Sequence, residues 1–115
     1  MNIVYLGIDL AKNVFQLCGL NQAGKPLNTK RVDQKILFQT VANIPACLIG
    51  IEASTGAFYW QREFEKLGHK VKVISPQYVK PFVRGQKNDG NDALAIAIAL
   101  MQPTMKFVPP KSPEQ

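Results

Sequence analysis

Histidine and cysteine are scarce in this chain: one histidine, His69, and two cysteines, Cys18 and Cys47. The three have no metal-ligand spacing, which argues against a zinc site. Both cysteines fall in apolar, strand-like segments, so the expected state is reduced and buried, and His69 is expected to be structural or solvated. Long apolar runs are also missing. None approaches the roughly 18–20 residues that cross a bilayer, and Met1-Asn2-Ile3-Val4-Tyr5 lacks the basic region and cleavage site of a signal peptide. A cytoplasmic chain without a membrane partner is therefore expected. Repeats and low-complexity blocks are absent too. Acid is in short supply: 8 Asp and Glu stand against 14 Lys and Arg, for a formal charge of +6. That balance favours an anionic partner, nucleic acid first.

What is present is enough for one domain, since a chain of 115 residues buries roughly 65% of its unfolded surface. Residues 3–10 form an apolar run without alternation, the pattern of a central strand covered on both faces. Val14–Leu20 and Pro26–Val32 read as two further strands joined by a Gly-containing turn, the second polar and basic enough for a sheet edge. Asp33 is placed to cap a helix that ends near Asn43, before Pro45. Residues 46–53 repeat the buried-strand pattern. A helix opened by Ser54-Thr55-Gly56 and running to a Gly68 C-cap follows, with Trp60, Tyr59 and Phe64 as core. Residues 70–75 alternate as a half-wet strand. Residues 76–84 suggest a short helix burying Tyr78, Val79, Phe82 and Val83. The last helix holds Asp89 and runs to Met101. The order β-β-β-α-β-α-β-α-α matches an α/β, ribonuclease H-like fold: a mixed five-stranded sheet, three strands in antiparallel meander, helices on both faces. We expect this domain to occupy residues 1–102. Residues 103–115, with four prolines, read as a linker toward a further domain.

The few acids fall in a telling pattern. Asp9 and Glu52 end the two doubly buried strands, which this topology makes neighbours at the sheet centre. Asp89 and Asp92 are one helical turn apart, on one face at the start of the last helix. Four carboxylates in one place repel by roughly 4 kcal/mol per pair at about 4 Å, even at an effective dielectric of 20. Such a cluster is understandable if divalent cations neutralise it. Oxygen ligands suit Mg²⁺ or Mn²⁺, and two ions roughly 3.5–4 Å apart are the usual device for phosphoryl transfer. Asp9 would sit deepest and bridge them. Each acid also has an architectural reading: Asp9 as a cap or salt-bridge partner, Asp89 as a helix N-cap, Asp92 as a first-turn acid favoured by the dipole, Glu52 as a cap of the helix near Thr55. Lys80, Arg84 and Lys87 precede the acidic pair, and Lys12 lies beside Asp9. They could hold a phosphate backbone without reading sequence, or form a solvated basic face.

Several segments carry a resemblance: Gly7-Ile8-Asp9-Leu10-Ala11-Lys12-Asn13-Val14-Phe15, Ile51-Glu52-Ala53, Pro76-Gln77-Tyr78-Val79-Lys80-Pro81-Phe82, Lys87-Asn88-Asp89 with Asp92-Ala93, and Pro103-Thr104-Met105 with Phe107-Val108-Pro109. Together the chain resembles the N-terminal domain of the DEDD transposases of bacterial insertion sequences, relatives of the Piv-type DNA invertases. The resemblance implies a fold like that of the Holliday-junction resolvase RuvC and an acidic tetrad at Asp9, Glu52, Asp89 and Asp92. It implies Mg²⁺, DNA strand cleavage and exchange, a structured guide-like RNA partner, and a homo-oligomer of the full-length protein in the bacterial cytoplasm. It further implies a C-terminal domain carrying a serine nucleophile, a role that no residue here fills. The chain departs from the family where it has Cys18, Ser54 and Phe58, none of them in the tetrad. Two other classes remain open. One is a non-catalytic nucleic-acid-binding module whose acids are structural. The other is an actin-like ATPase, for which Gly-Ile-Asp-Leu fits but the following Ala11-Lys12-Asn13 lacks the expected phosphate-cradling residues.

Overall fold

A computed structural model of the chain describes residues 3–10, 14–83 and 89–109. The elements are β1 (Tyr5–Leu10), β2 (Val14–Leu20), β3 (Pro26–Asp33), α1 (Gln34–Ala42), β4 (Leu48–Glu52), α2 (Ala57–Glu65), β5 (Lys70–Ile74), α3 (Pro76–Val79) with a 3₁₀ turn (Lys80–Phe82), and α4 (Asp89–Leu100). The sheet order is β3-β2-β1-β4-β5. β1 pairs antiparallel with β2 and parallel with β4, so the meander and the crossovers meet at β1. This is the expected ribonuclease H-like arrangement, with the basic β3 at an edge.

The continuous apolar runs are explained by two covered faces. Leu6 and Ile8 of β1, Ile49 and Ile51 of β4, and Phe15 and Leu17 of β2 pack against Leu37 and Val41 of α1 and Trp60 and Phe64 of α2. Residues of the opposite parity face α4: Tyr5, Cys18 and Leu20 meet its Ala93, Ala97 and Ile98, and Tyr5, Leu48 and Ile74 meet Ala95, Ile96, Ala99 and Leu100. Alternating side chains on a strand point to opposite sides, so both parities must be apolar when both sides are covered.

Local chemistry sets several boundaries. Asp33 caps α1, its Oδ1 accepting from Ile36 N–H at 3.1 Å. α2 starts after the expected opening triplet Ser54-Thr55-Gly56. Its N-cap is Gly56, held in the left-handed region at φ 91°, so Glu52 stands well before the helix instead of at its cap. The single helix expected over 76–84 is instead one α-turn followed by the 3₁₀ turn. Pro81 has no N–H with which to continue an α-helical ladder. Tyr78 is exposed rather than buried, and so is Tyr59, while Trp60 is buried and stacks on Phe64 at 5.3 Å.

Residues 103–109 return along the β5 edge of the sheet. Val108 N–H donates to Val73 C=O at 2.8 Å and makes an isolated antiparallel bridge. Met105 and Phe107 pack on the α4-side core, with the Lys72 ammonium 5.5 Å from the Phe107 ring.

Candidate functional site

The site is built around the crossing of α4 over β1. Gly7 lies directly beneath the helix. A Cβ there would run into the Ala93 carbonyl oxygen and stand 2.6 Å from the Ala97 nitrogen. Only glycine permits so close an approach of helix to strand, and alanine at 93 and 97 supplies the matching flat stripe. At its far end α4 reaches the β2–β3 turn, where Met101 lies against Gly24. The β2–β3 turn is at the Tyr5 end of β1, so the helix runs antiparallel to β1. Its N-terminal turn therefore faces the C-terminal ends of β1 and β4, where Asp9 and Glu52 stand.

Strand alternation gives Asp9 the parity of Gly7, and Glu52 that of Gly50, which puts both on the α4 face. β1 and β4 pair in parallel up to Ile8 opposite Ile51, so Asp9 and Glu52 are the next residues on two strands about 4.8 Å apart. Asp92 belongs to the first turn of α4. Glu52 and Asp92 line one hollow of about 270 Å³ with Pro76, Val79, Lys80 and Val83. Lys80 thus lines the same hollow as two of the acids. Asp9, Glu52 and Asp92 are all half-buried. Asp89 opens α4, but its side chain lies outside the described residues, as do Lys12, Arg84 and Lys87.

The donor set in reach of this hollow is carboxylate oxygen, with neither sulfur nor imidazole lining it, and such donors fit a hard cation such as Mg²⁺ or Mn²⁺. Among the described residues no three His, Cys, Asp or Glu side chains are gathered tightly enough to hold an ion. Like charges that repel by several kcal/mol in contact spread apart unless a cation draws them together.

One polar residue at this level was not singled out by sequence reasoning. Gln16 pairs with Asp9 across the β1–β2 ladder and is 2% exposed. Its Nε2 is the one buried side-chain nitrogen or oxygen without a hydrogen-bond partner among the described residues. Leaving such a donor unpaired costs about 1–3 kcal/mol. The available signal was a single amide inside the apolar strand Val14–Leu20.

His69 and the cysteines are far from this centre in role. His69 is buried, its Nδ1 accepting from Cys47 N–H at 3.1 Å and its Nε2 meeting Val41 C=O at 3.2 Å. A backbone N–H can only donate and a carbonyl can only accept, so the ring is neutral with its proton on Nε2. It ties α1 to the start of β4 and is structural. Cys18 and Cys47 are free thiols. Burial raises the pKa of both, that of Cys47 to about 11.

With this geometry in hand, similarity to known proteins becomes informative. A family model of IS110-type DEDD transposases, described as a transposase, matches residues 6–115. A probable family 20 transposase of Pseudomonas aeruginosa is 42% identical over 115 residues, covering 100% of this chain and 34% of its own length. The transposase for insertion sequence element IS1111A of Coxiella burnetii is 46% identical over 114 residues, covering 99% of this chain and 31% of its own length. The chain spans about a third of the length of these curated relatives. Among solved structures, Thermus thermophilus RuvC in complex with a Holliday junction substrate superposes with a TM-score of 0.66 at 14% identity, over 93% of this chain and 100% of that one. A second RuvC structure from Thermus thermophilus gives 0.64 at 15% identity, over 92% of this chain and 100% of that one. At such identities the likeness establishes a RuvC-like fold. No helix among the described residues is long and apolar enough to cross a membrane.

Proposed function

Because the chain belongs to the IS110-type DEDD transposases, we propose that it supplies the acidic half of a metal-dependent centre that cleaves and exchanges DNA strands during transposition. Asp9, Glu52, Asp89 and Asp92 are its ligand tetrad. The observation that carries this reading is the meeting of Glu52 and Asp92 in one hollow, on the sheet face that also bears Asp9. Hard oxygen donors brought from distant segments to one sheet face are the set a divalent cation would draw together.

When bound, Mg²⁺ or Mn²⁺, two ions in the fully assembled centre, stabilises charge on the attacking and leaving oxygens of a phosphodiester. The residues of this chain bind and orient. Asp9, near the end of a strand covered on both faces, anchors the set. Glu52 holds one side from the neighbouring strand. Asp89 and Asp92 close the other from the first turn of α4, where the helix dipole favours negative charge. Lys80 at the rim, with Lys12, Arg84 and Lys87, holds backbone phosphates beside the acids and carries no sequence information. The DNA follows the C-terminal ends of β1 and β4. A branched DNA substrate is supported by the RuvC likeness, since that protein was captured on a Holliday junction. The structured RNA partner, the homo-oligomeric assembly and the cytoplasmic location rest on the family resemblance. We assign to the catalytic domain residues 1–102 together with the segment 103–109, which was expected to be linker but packs on the core through Met105, Phe107 and Val108.

The test is a calorimetric Mn²⁺ titration of wild type and Asp9→Ala. Weak binding by the wild type that disappears in Asp9→Ala is expected. Indistinguishable titrations would leave a nucleic-acid-binding module with structural acids as the better account.

A further inference from the structure

The residues that cross the sheet at the level of Asp9 form a row. Gln16 stands opposite Asp9 on one side and opposite Arg31 on the other. On the far side of β1, Glu52 follows at the same level and pairs in turn with Ile74. Gln16 shares its parity with Cys18 and Leu20, which pack against α4, while Phe15 and Leu17 pack on the opposite side. Its amide is therefore on the face that carries the acids.

Gln16 is a poor choice for the fold alone. The strand around it is apolar, and an apolar side chain of similar volume would bury without loss. Buried polar groups are almost always paired, and an exception calls for an explanation. Here the orphan atom is the amide nitrogen, a donor. It cannot serve Arg31, which is itself only a donor. What it lacks is an oxygen acceptor, and it lacks it beside the residue assigned as the anchor of the acidic centre.

We propose that Gln16 is a positioning residue of that centre: its Nε2–H donates to an oxygen present beside Asp9 only in the loaded site. The inference rests on the reading of Asp9 as a cation ligand. The acceptor is either a water of the cation's hydration shell or a phosphate oxygen of the nucleic acid. In both cases Gln16 fixes the orientation of the groups around Asp9 from outside the ligand set, as hydrogen-bonding partners of metal ligands do.

The experiment compares wild type, Gln16→Met, Gln16→Leu and Asp9→Ala in the 115-residue chain. Each is melted without metal, then titrated with Mn²⁺, with and without a short DNA duplex, following the EPR signal of the free ion. Both Gln16 variants are expected to melt at or above the wild-type temperature, because an unpaired buried donor has been removed. They are expected to bind Mn²⁺ about 10-fold more weakly. Weakening with Mn²⁺ alone identifies the acceptor as water, and weakening only with the duplex identifies it as phosphate; either result supports the role. Unchanged affinity in both arms, while Asp9→Ala abolishes binding, overturns the role of Gln16 and leaves the acidic centre standing. Variants that lose thermal stability together with Mn²⁺ binding mark Gln16 as structural and also overturn it. Absence of Mn²⁺ binding by the wild type, or equal binding by Asp9→Ala, removes the centre and the role of Gln16 together.

Discussion

A single missing Cβ at Gly7 decides how near α4 comes to the acids on the sheet. Gly7→Ala must push the helix backbone away, since neither the Ala93 carbonyl nor the Ala97 nitrogen can yield as a side chain does. Overpacking of this kind costs about 1–3 kcal/mol or more. Denaturant titration of Gly7→Ala is expected to show at least that loss, with weakened Mn²⁺ binding because Asp92 moves with the helix. Cys47 makes a second residue-scale prediction. Burial holds its thiol neutral by raising its pKa from 9.0 to about 11. A pKa raised in the fold contributes stability that is fully present below the unfolded value and is lost as pH climbs through the folded one. Thermal stability is therefore expected to be insensitive to this group up to about pH 9 and to fall between pH 9 and 11. Cys47→Ala is expected to flatten that fall in a pH series of melting curves. Of the residues that matter here, Asp9 was legible in the sequence because an acid inside an apolar run demands a reason. Gln16 was not, and for His69, expected to be structural or solvated, the bonds that make it structural were not. A lone amide or imidazole has no spacing to read, and its partner, or lack of one, exists only across the ladder or the helix packed on it.

At the scale of elements, the segment after β5 carries the nucleic-acid reading. Pro81 breaks it into an α-turn and a 3₁₀ turn, which leaves Val79 buried as the anchor and Lys80 at the rim of the hollow. If Lys80, Arg84 and Lys87 each neutralise one phosphate, the triple Ala variant loses about 2–3 units from the slope of log affinity against log salt on duplex DNA. Fluorescence anisotropy at several salt concentrations measures that slope, and an unchanged value would remove the cluster from the interface. α2 illustrates the limits of local signals. Ser54-Thr55-Gly56 marked where the helix opens, yet Tyr59, expected in the core, emerges exposed while Trp60 is buried. On an amphipathic helix one residue's step, about 100°, separates core from solvent, and the sequence does not say where the neighbouring sheet ends.

For the molecule as a whole, the segment beyond α4 belongs to the folded body up to residue 109. Met105 and Phe107 cover the α4-side core, and Val108 bridges to Val73. A chain ending at Gln102 is expected to be less stable than one ending at Pro109 by roughly 2–4 kcal/mol, from lost apolar burial; parallel chemical denaturation checks it. The sheet order itself makes the site possible. The first strand gains the fourth as its parallel neighbour, so acids 43 positions apart in the chain, Asp9 and Glu52, end on adjacent strands. Element types, their order, the doubly covered central strands and the spacing of the four acids were settled by sequence alone, since hydrophobic periodicity and helix caps act over a few residues. Only the tertiary structure decided that α4 runs antiparallel to β1, that Gly7 lets it touch the strand, that Lys80 shares a hollow with Glu52 and Asp92, and that Gln16 lies buried and unpaired beside Asp9. Those facts depend on which surfaces meet, and contact between distant segments leaves no local pattern in the chain.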